Sequence, residues 1–575
     1  MSHTELLSAV RQRWTVLRAD KRLTLIALAG FVGACSGLAG VALNRSLHFM
    51  AEIFQSIHLD WWGFILPAVG AVLSALFLNY IVRERAGHGV PEVVQAVSRQ
   101  GGRLQLTSSF SRLISSSLTI GSGGSAGPEA PVIMSGAALG SNIARLFRLD
   151  ERQRVILVGC GAAGAIASIF NAPITGMVFT LEVILAEWRS FNIIPIAIGA
   201  VAGTEVSRLL QGNQIVFQSQ SLNIHGSDIV ASFGVVLFAT VFSTALGRGL
   251  KSMHRLAGRT PLPGWLRPAI GGALVGIIGI YLPVVLGEGY LSIQQMIDGT
   301  FTRGLMLAVL AAVAKTAATA LTLGWGGSGG IFAPSLMIGS LVGIGYYRLL
   351  VLVLPGIAFS GEGCFALLGM AGLLSGMQQA PLTAIFLVVE ITGGYNAILP
   401  LIIVSALTST LCSYIEPASF YLRDLIEKGI YQRPGTDARV LSDMSVAELV
   451  ETDHPTISGG MRMSEFIKVL EHSRDYLFPV ADPVSGNYVG MVFVDRIRPY
   501  LFNPQMHAVL LVEQIMEHDV PTVKPDDDLS GVLDLMARDG LSVLPVVENG
   551  KFVGLLSKAT LLDHYRKELI VQTGI

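Results

Sequence analysis

The sequence predicts an all-α polytopic membrane protein with two repeats and broken helices, followed by a C-terminal α/β unit that is itself duplicated. Three observations predict it. Hydrophobic residues fill 51% of the 575 positions and charged residues only 14%, with 64 glycines, a balance that soluble domains rarely show. The segment GSGGSAGPEAPVIMSGA at 121–137 returns as GWGGSGGIFAPSLMIGS at 324–340, and NAPITGMVFTLE at 171–182 returns as QAPLTAIFLVVE at 379–390. From Val440 onward the chain becomes charged and mixes helix and strand patterns.

The first 20 residues lack an apolar core and carry Arg11, Arg13 and Arg18, with Lys21 and Arg22 following. They read as a cytoplasmic N-terminal segment rather than a cleavable signal peptide. Apolar runs then recur at 23–44, 61–82, 151–168, 174–186, 193–209, 228–246, 267–286, 305–323, 333–354, 365–376, 381–390 and 396–413. Several fall short of the roughly 20 residues that span a bilayer, which predicts half-helices. The repeats run over about 21–212 and 228–428. Cys35, Cys160, Cys364 and Cys412 are isolated in apolar segments, without metal or disulfide spacing, and read as small core residues. A net charge of −1 and the absence of a basic patch give no reason to expect a nucleic-acid partner.

After a linker at 429–439, LFPVADPVSGNYVG at 477–490 corresponds to VLPVVENGKFVG at 543–554, each a strand, a turn and a strand. Upstream, HPT at 454–456 and VPT at 520–522 each precede an amphipathic helix, at 464–472 and 529–538. This unit spans 440–566, with a tail at 567–575.

The duplicated glycine-rich turns carry the chemistry. Without Cβ atoms, consecutive backbone N–H groups can converge at a helix start, where the dipole also favours negative charge. The helices are expected to begin around Ala130 and Ala333. Two such N-termini aimed into a membrane hold an anion without a full opposite charge. The plainer reading is close helix packing through small residues. Glu129 stands in the first turn, and an intramembrane acid is a functional candidate; the alternative is an N-terminal charge that the helix dipole favours. Its counterpart in the second copy is Phe332, so the turn itself does not need the acid.

Four motifs in order, GHGVPEV at 87–93, GPEAP at 127–131, GGIFAP at 329–334 and SFY at 419–421, resemble the CLC family of chloride channels and proton-coupled chloride transporters over about 20–428. The C-terminal unit resembles a tandem pair of CBS domains. The resemblance implies two inverted repeats, a homodimer with one anion pathway per subunit, and an integral protein of the inner or plasma membrane with both termini cytoplasmic. It implies chloride or a similar small anion as cargo, with protons as a second candidate, and no cofactor. Residue by residue it makes Glu129 the gating glutamate and places Gly89, Ile331, Phe332 and Tyr421 around the bound anion. A lone Tyr at a membrane helix end is otherwise an interfacial anchor.

The chain departs from the family pattern in three places. His88 stands where a Ser usually closes the inner end of the anion site. Its imidazole donates one hydrogen bond when neutral and two when charged, unless Gly87 and Gly89 bind and the ring faces water. Pro128 replaces a basic residue before Glu129. Val183 stands where proton-coupled members often carry an internal glutamate, which favours passive, gated conduction, with chloride/proton antiport as the alternative. Glu182 and Glu187 are the candidate substitutes for the relay, Glu187 one helical turn further on. Lys315 either raises the anion-attracting potential or snorkels to the cytoplasmic face.

In the CBS pair, the position that holds a ribose-binding Asp in many nucleotide-binding copies carries Arg496 and Thr560, which speaks against adenine-nucleotide binding. A CBS-regulated cation transporter would need several converging oxygen ligands in the membrane. An enzyme would need a nucleophile and base or a metal cluster. The apolar segments offer neither.

Overall fold

Short apolar stretches broken by glycine and proline should give helices that stop inside the membrane unit, and they do. The computed structural model describes residues 21–56, 63–84, 87, 89–213, 217, 224–301, 304–428, 441, 444–473 and 475–573. Two compact units result, 1–431 and 432–575.

In the first unit, α1 (Lys21–Ser56), α2 (Leu66–Leu76), α3 (Val90–Arg99), α4 (Ser108–Gly121), α5 (Glu129–Leu146), α6 (Glu151–Phe170), α7 (Pro173–Phe179) and α8 (Ser190–Gln211) make the first repeat. The second runs through α9 (Gly226–Arg259), α10 (Arg267–Tyr281), α11 (Tyr290–Ile297), α12 (Leu305–Gly324), α13 (Phe332–Val353), α14 (Glu362–Gln378), α15 (Pro381–Thr392), α16 (Ile398–Ile415) and α17 (Phe420–Glu427). Among the described residues, eight helical stretches are long and apolar enough to cross a membrane, and Pro173–Ile184, Arg267–Tyr281 and Pro381–Thr392 are shorter apolar helices. Proline opens all three, at the first or second position, where its missing N–H is not needed.

The packing repeats with the sequence. In the pair α5–α6 the backbones touch at Gly136 and Gly161: a Cβ on Gly136 would lie 2.3 Å from the Gly161 carbonyl oxygen. In α13–α14 a Cβ on Gly339 would lie at the same 2.3 Å from the Gly369 carbonyl oxygen. Close packing through small residues therefore operates about two turns beyond the helix starts, beside the turns rather than in place of them. Four helices, α5, α6, α13 and α14, form the buried centre, with Cys160 and Cys364 fully inside.

Among the described residues, the second unit holds two hydrophobic cores built alike and a third, smaller one to which both copies contribute. In the first copy β1 (Ile457–Ser458) runs parallel to β2 (Leu477–Ala481), which pairs antiparallel with β3 (Tyr488–Phe493). In the second, β4 (Val543–Glu548) pairs antiparallel with β5 (Lys551–Ser557), and Val523 bridges Val546 in parallel. Helices Met463–His472 and Leu529–Arg538 share these cores with the hairpins, through Met463 and Phe466 in the first and Leu529, Val532 and Met536 in the second. The last helix, Lys558–Thr573, continues past residue 566, so the segment expected as a tail is helical through Thr573. Arg496 pairs with Glu517 and lies over the Phe493 ring, 4.9 Å from its centroid. Thr560 donates to Glu451.

Candidate functional site

The two glycine-rich turns meet. Gly127 N–H donates to the Gly330 carbonyl at 2.8 Å, and Gly330 N–H returns the bond to Gly127 at 2.7 Å. A two-fold pattern surrounds this pair: Ser125 N–H donates to Thr322 Oγ1 at 3.0 Å and Ser328 N–H to Thr119 Oγ1 at 3.3 Å. Helices α5 and α13 begin at Glu129 and Phe332, one residue earlier than expected at each, so the acid and the phenylalanine occupy equivalent first helical positions. Proline, Pro128, is the N-cap residue before Glu129.

Glu129 is fully buried. Its Oε1 accepts a hydrogen bond of 2.5 Å from the Tyr290 hydroxyl. Oε2 makes no hydrogen bond of full geometry, but the carboxyl lies beside the backbone N–H groups of Glu129 and Ala333. Oε2 lies against Gly127, 2.1 Å from where a Cβ on that residue would stand, and the Ala333 N–H is 3.0 Å from the same point. The carboxylate thus sits over the paired turns, where both helix dipoles favour a negative charge. Ile331 and Phe332 are buried beneath it, and Phe332 packs on Phe170 and Phe179 with ring centroids 5.5 and 6.1 Å away.

Gly89 approaches from another element. It has φ +83°, and a Cβ there would stand 2.5 Å from the Ala130 carbonyl oxygen, so both its backbone conformation and the contact require glycine. Its partner in the motif, His88, lies outside the described residues. Tyr421, in the first turn of α17, is 1% exposed and its hydroxyl has no partner among the described residues. It is a buried residue in electrostatic contact with Glu129, not an anchor at the membrane surface. The helix that carries it packs against both α3 and α14. Gly89, Glu129, Ile331, Phe332 and Tyr421 therefore come together.

The two relay candidates do not join them. Glu182 closes a helix of the other repeat: its oxygens accept from Leu382 N–H at 3.1 Å, Thr383 N–H at 2.7 Å and Thr383 Oγ1 at 2.6 Å. Glu390 does the same in return, for Ile174 N–H at 3.0 Å, Thr175 N–H at 2.7 Å and Thr175 Oγ1 at 2.6 Å. Glu187 is not one helical turn beyond Val183. The helix ends in a π turn, Thr180–Ile184, and Ala186 turns left-handed with φ +52°. Glu187 then points to Arg189, 3.4 Å away, with over a third of its side chain exposed.

Lys315 does not snorkel either. Fully buried, its Nζ donates to the carbonyls of Val285 at 2.9 Å and Gly287 at 2.7 Å. Those carbonyls stand just before Glu288 and the start of α11 at Tyr290, and Glu288 interacts electrostatically with both Lys315 and Glu129. Sequence reasoning missed Glu288 and Tyr290. The signal was GEGY at 287–290, an acid between two glycines directly after an apolar run.

Known proteins resemble this chain in both of its units. A family model described as "Voltage gated chloride channel" matches residues 69–413, and one described as "CBS domain" matches 512–567. A putative chloride channel protein ClcB-like of Ralstonia nicotianae is 30% identical over 417 residues, covering 70% of this chain and 96% of the relative. An H(+)/Cl(-) exchange transporter ClcA of Vibrio cholerae is 31% identical over 415 residues, 68% of this chain and 86% of the relative. The crystal structure of a eukaryotic CLC transporter aligns with a TM-score of 0.64 at 19% identity, over 94% of this chain and 98% of that one.

Proposed function

This chain belongs to the voltage-gated chloride channel family, a family of chloride transport proteins, and on that premise we propose that it exchanges chloride for protons along a pathway gated by Glu129. The observation that carries the reading is the seat of the Glu129 carboxylate over the hydrogen-bonded turns Gly127 and Gly330. When ionised, the carboxylate is itself an anion at a place built for one. Chloride and carboxylate compete for the same N–H groups, and protonation removes the competition. Each departure of the carboxylate with a proton then lets chloride in, which is the elementary step of exchange.

Around that step, Ile331 and Phe332 supply the helix start, Gly89 the close backbone approach, and Tyr421 a hydroxyl donor. Tyr290 orients the carboxylate, while Glu288 and Lys315 set the charge behind it. Relatives named exchange transporters, at 31% identity, support the coupled reading. The buried apolar Val183 supports passive conduction instead, because valine cannot relay a proton. We favour exchange: one apolar side chain blocks one relay position but does not exclude water, and Glu288 supplies a further acid close to Glu129.

Reconstitution into liposomes decides between the two. An imposed chloride gradient at symmetric pH, with voltage clamped by valinomycin and potassium, should drive protons uphill. Robust chloride flux with no proton movement would leave the passive reading standing.

A further inference from the structure

We propose that Gln378 is a ligand of the anion pathway, its side-chain amide donating to the permeating anion. The inference deepens the proposed function and rests on it. Gln378 is the last residue of α14 and is 3% exposed, yet neither Oε1 nor Nε2 has a hydrogen-bond partner among the described residues. A buried amide left unpaired on both atoms is unfavourable unless something fills the place beside it.

The two-fold pattern says what stands beside it. Positions in the turn segments correspond at a spacing of 203, and Ser125/Thr322 with Ser328/Thr119 obey that correspondence in their hydrogen bonds. Positions around the proline-led helices correspond at a spacing of 208, and Glu182/Thr383 with Glu390/Thr175 obey it equally. The same correspondence turns Phe332 into Glu129 and Phe170 into Gln378. Phe332 and Phe170 are in ring contact, with centroids 5.5 Å apart. Gln378 therefore occupies, next to Glu129, the place that Phe170 occupies next to Phe332.

A second observation points the same way. Helix α17, whose Tyr421 hydroxyl is also buried and unpartnered, packs on α14, the helix that ends in Gln378. One half of the molecule thus seals its helix start with two aromatic rings. The other half places an acid, an amide and a hydroxyl at the same level. A neutral amide suits a transport pathway: its N–H donors stabilise a dehydrated anion, and with no full charge they do not hold it so tightly that it cannot leave.

Chloride titrated calorimetrically into the detergent-solubilised full chain, dialysed into tartrate, tests this. Gln378→Met should raise the chloride dissociation constant about tenfold, the size of one charge-assisted hydrogen bond. Without chloride the same variant should unfold at an equal or higher temperature than the wild type, because an unpaired buried amide has been removed. An unchanged dissociation constant with a lowered unfolding temperature would overturn the proposal and make Gln378 structural. Gln378→Glu, similar in size, gives a second reading at alkaline pH: a carboxylate in the pathway should abolish chloride binding, and retained binding would again overturn the proposal. If the wild type itself shows no chloride binding, the anion site as a whole falls, and the two failures are distinct.

Discussion

The two halves of the membrane unit share a scaffold and differ at its centre. Glycine pairs at 136/161 and 339/369, hydroxyl contacts from Thr119 and Thr322, and reciprocal carboxylate caps by Glu182 and Glu390 recur with nearly equal distances. At the helix starts the likeness ends, with Glu129 and a Tyr290 hydroxyl on one side and Phe332 on the rings of Phe170 and Phe179 on the other. Packing and backbone hydrogen bonding constrain both copies alike, because each must satisfy its N–H groups where no water reaches. The transport step proposed above needs only one titrating group, which leaves the copies free to diverge where that group sits.

The largest expected effect comes from erasing this difference. Glu129→Gln should bring proton counter-transport to background and remove the dependence of chloride flux on external pH, since the amide cannot change charge. Paired flux records in liposomes measure both; wild-type pH dependence in the variant would dismiss Glu129 as the gate.

Next come the reciprocal caps. Glu182→Ala and Glu390→Ala should each destabilise the protein by about 1 kcal/mol, because each leaves one part-buried and one exposed backbone N–H without its carboxylate, and thermal unfolding in detergent should show the two losses to be similar. Glu182→Gln sharpens the comparison. If it stops proton movement while Glu390→Gln does not, Glu182 relays protons as well as capping its helix.

Gly136→Ala and Gly339→Ala test the scaffold itself. A Cβ at either position would stand 2.3 Å from a facing carbonyl oxygen, so each should destabilise by about 1–3 kcal/mol as the helix pair is pushed apart. Strongly unequal losses would show that the two pairs are not held equally.

The smallest effect is expected in the CBS unit, whose duplication is also imperfect. The first hairpin closes over Asp482, which accepts from Val484 N–H at 2.8 Å and Ser485 N–H at 2.7 Å; the second turns through Asn549 and Gly550, both at positive φ. Those backbone donors hold the Asp482 carboxyl below the usual carboxylate range. Its folded-state value is depressed, so its contribution is present above the unfolded carboxylate range and is lost as pH falls through the folded value. Asp482→Ala should therefore lower the unfolding temperature slightly near neutral pH and not at all in strong acid, as followed by circular dichroism.

Much of the site was legible because its parts are short and local. A Gly-rich turn before an apolar run predicts an anion-favouring helix start, and an acid inside such a turn announces itself. The GEGY loop was passed over because nothing in its own neighbourhood says that Tyr290 reaches Glu129 across 161 positions. Glu182 was read as a relay candidate for the opposite reason. Its neighbourhood, beside Val183, suggested proton transfer, while its actual partners lie 200 and 201 residues away.

By itself the sequence determined the membrane class, the duplication, the C-terminal pair of hairpins and the position of the one acid in a duplicated turn, since hydropathy, repeat matching and turn chemistry act over a few residues at a time. Only the tertiary structure decided that the two turns hydrogen-bond to each other, that Lys315 stays buried on two carbonyls, that Glu187 leaves its helix through a left-handed Ala186, and that Glu182 and Glu390 cap each other's repeat. The physical reason is common to all four. Each depends on which backbone groups remain unsatisfied after the helices have packed, and that account closes only when both repeats are folded together.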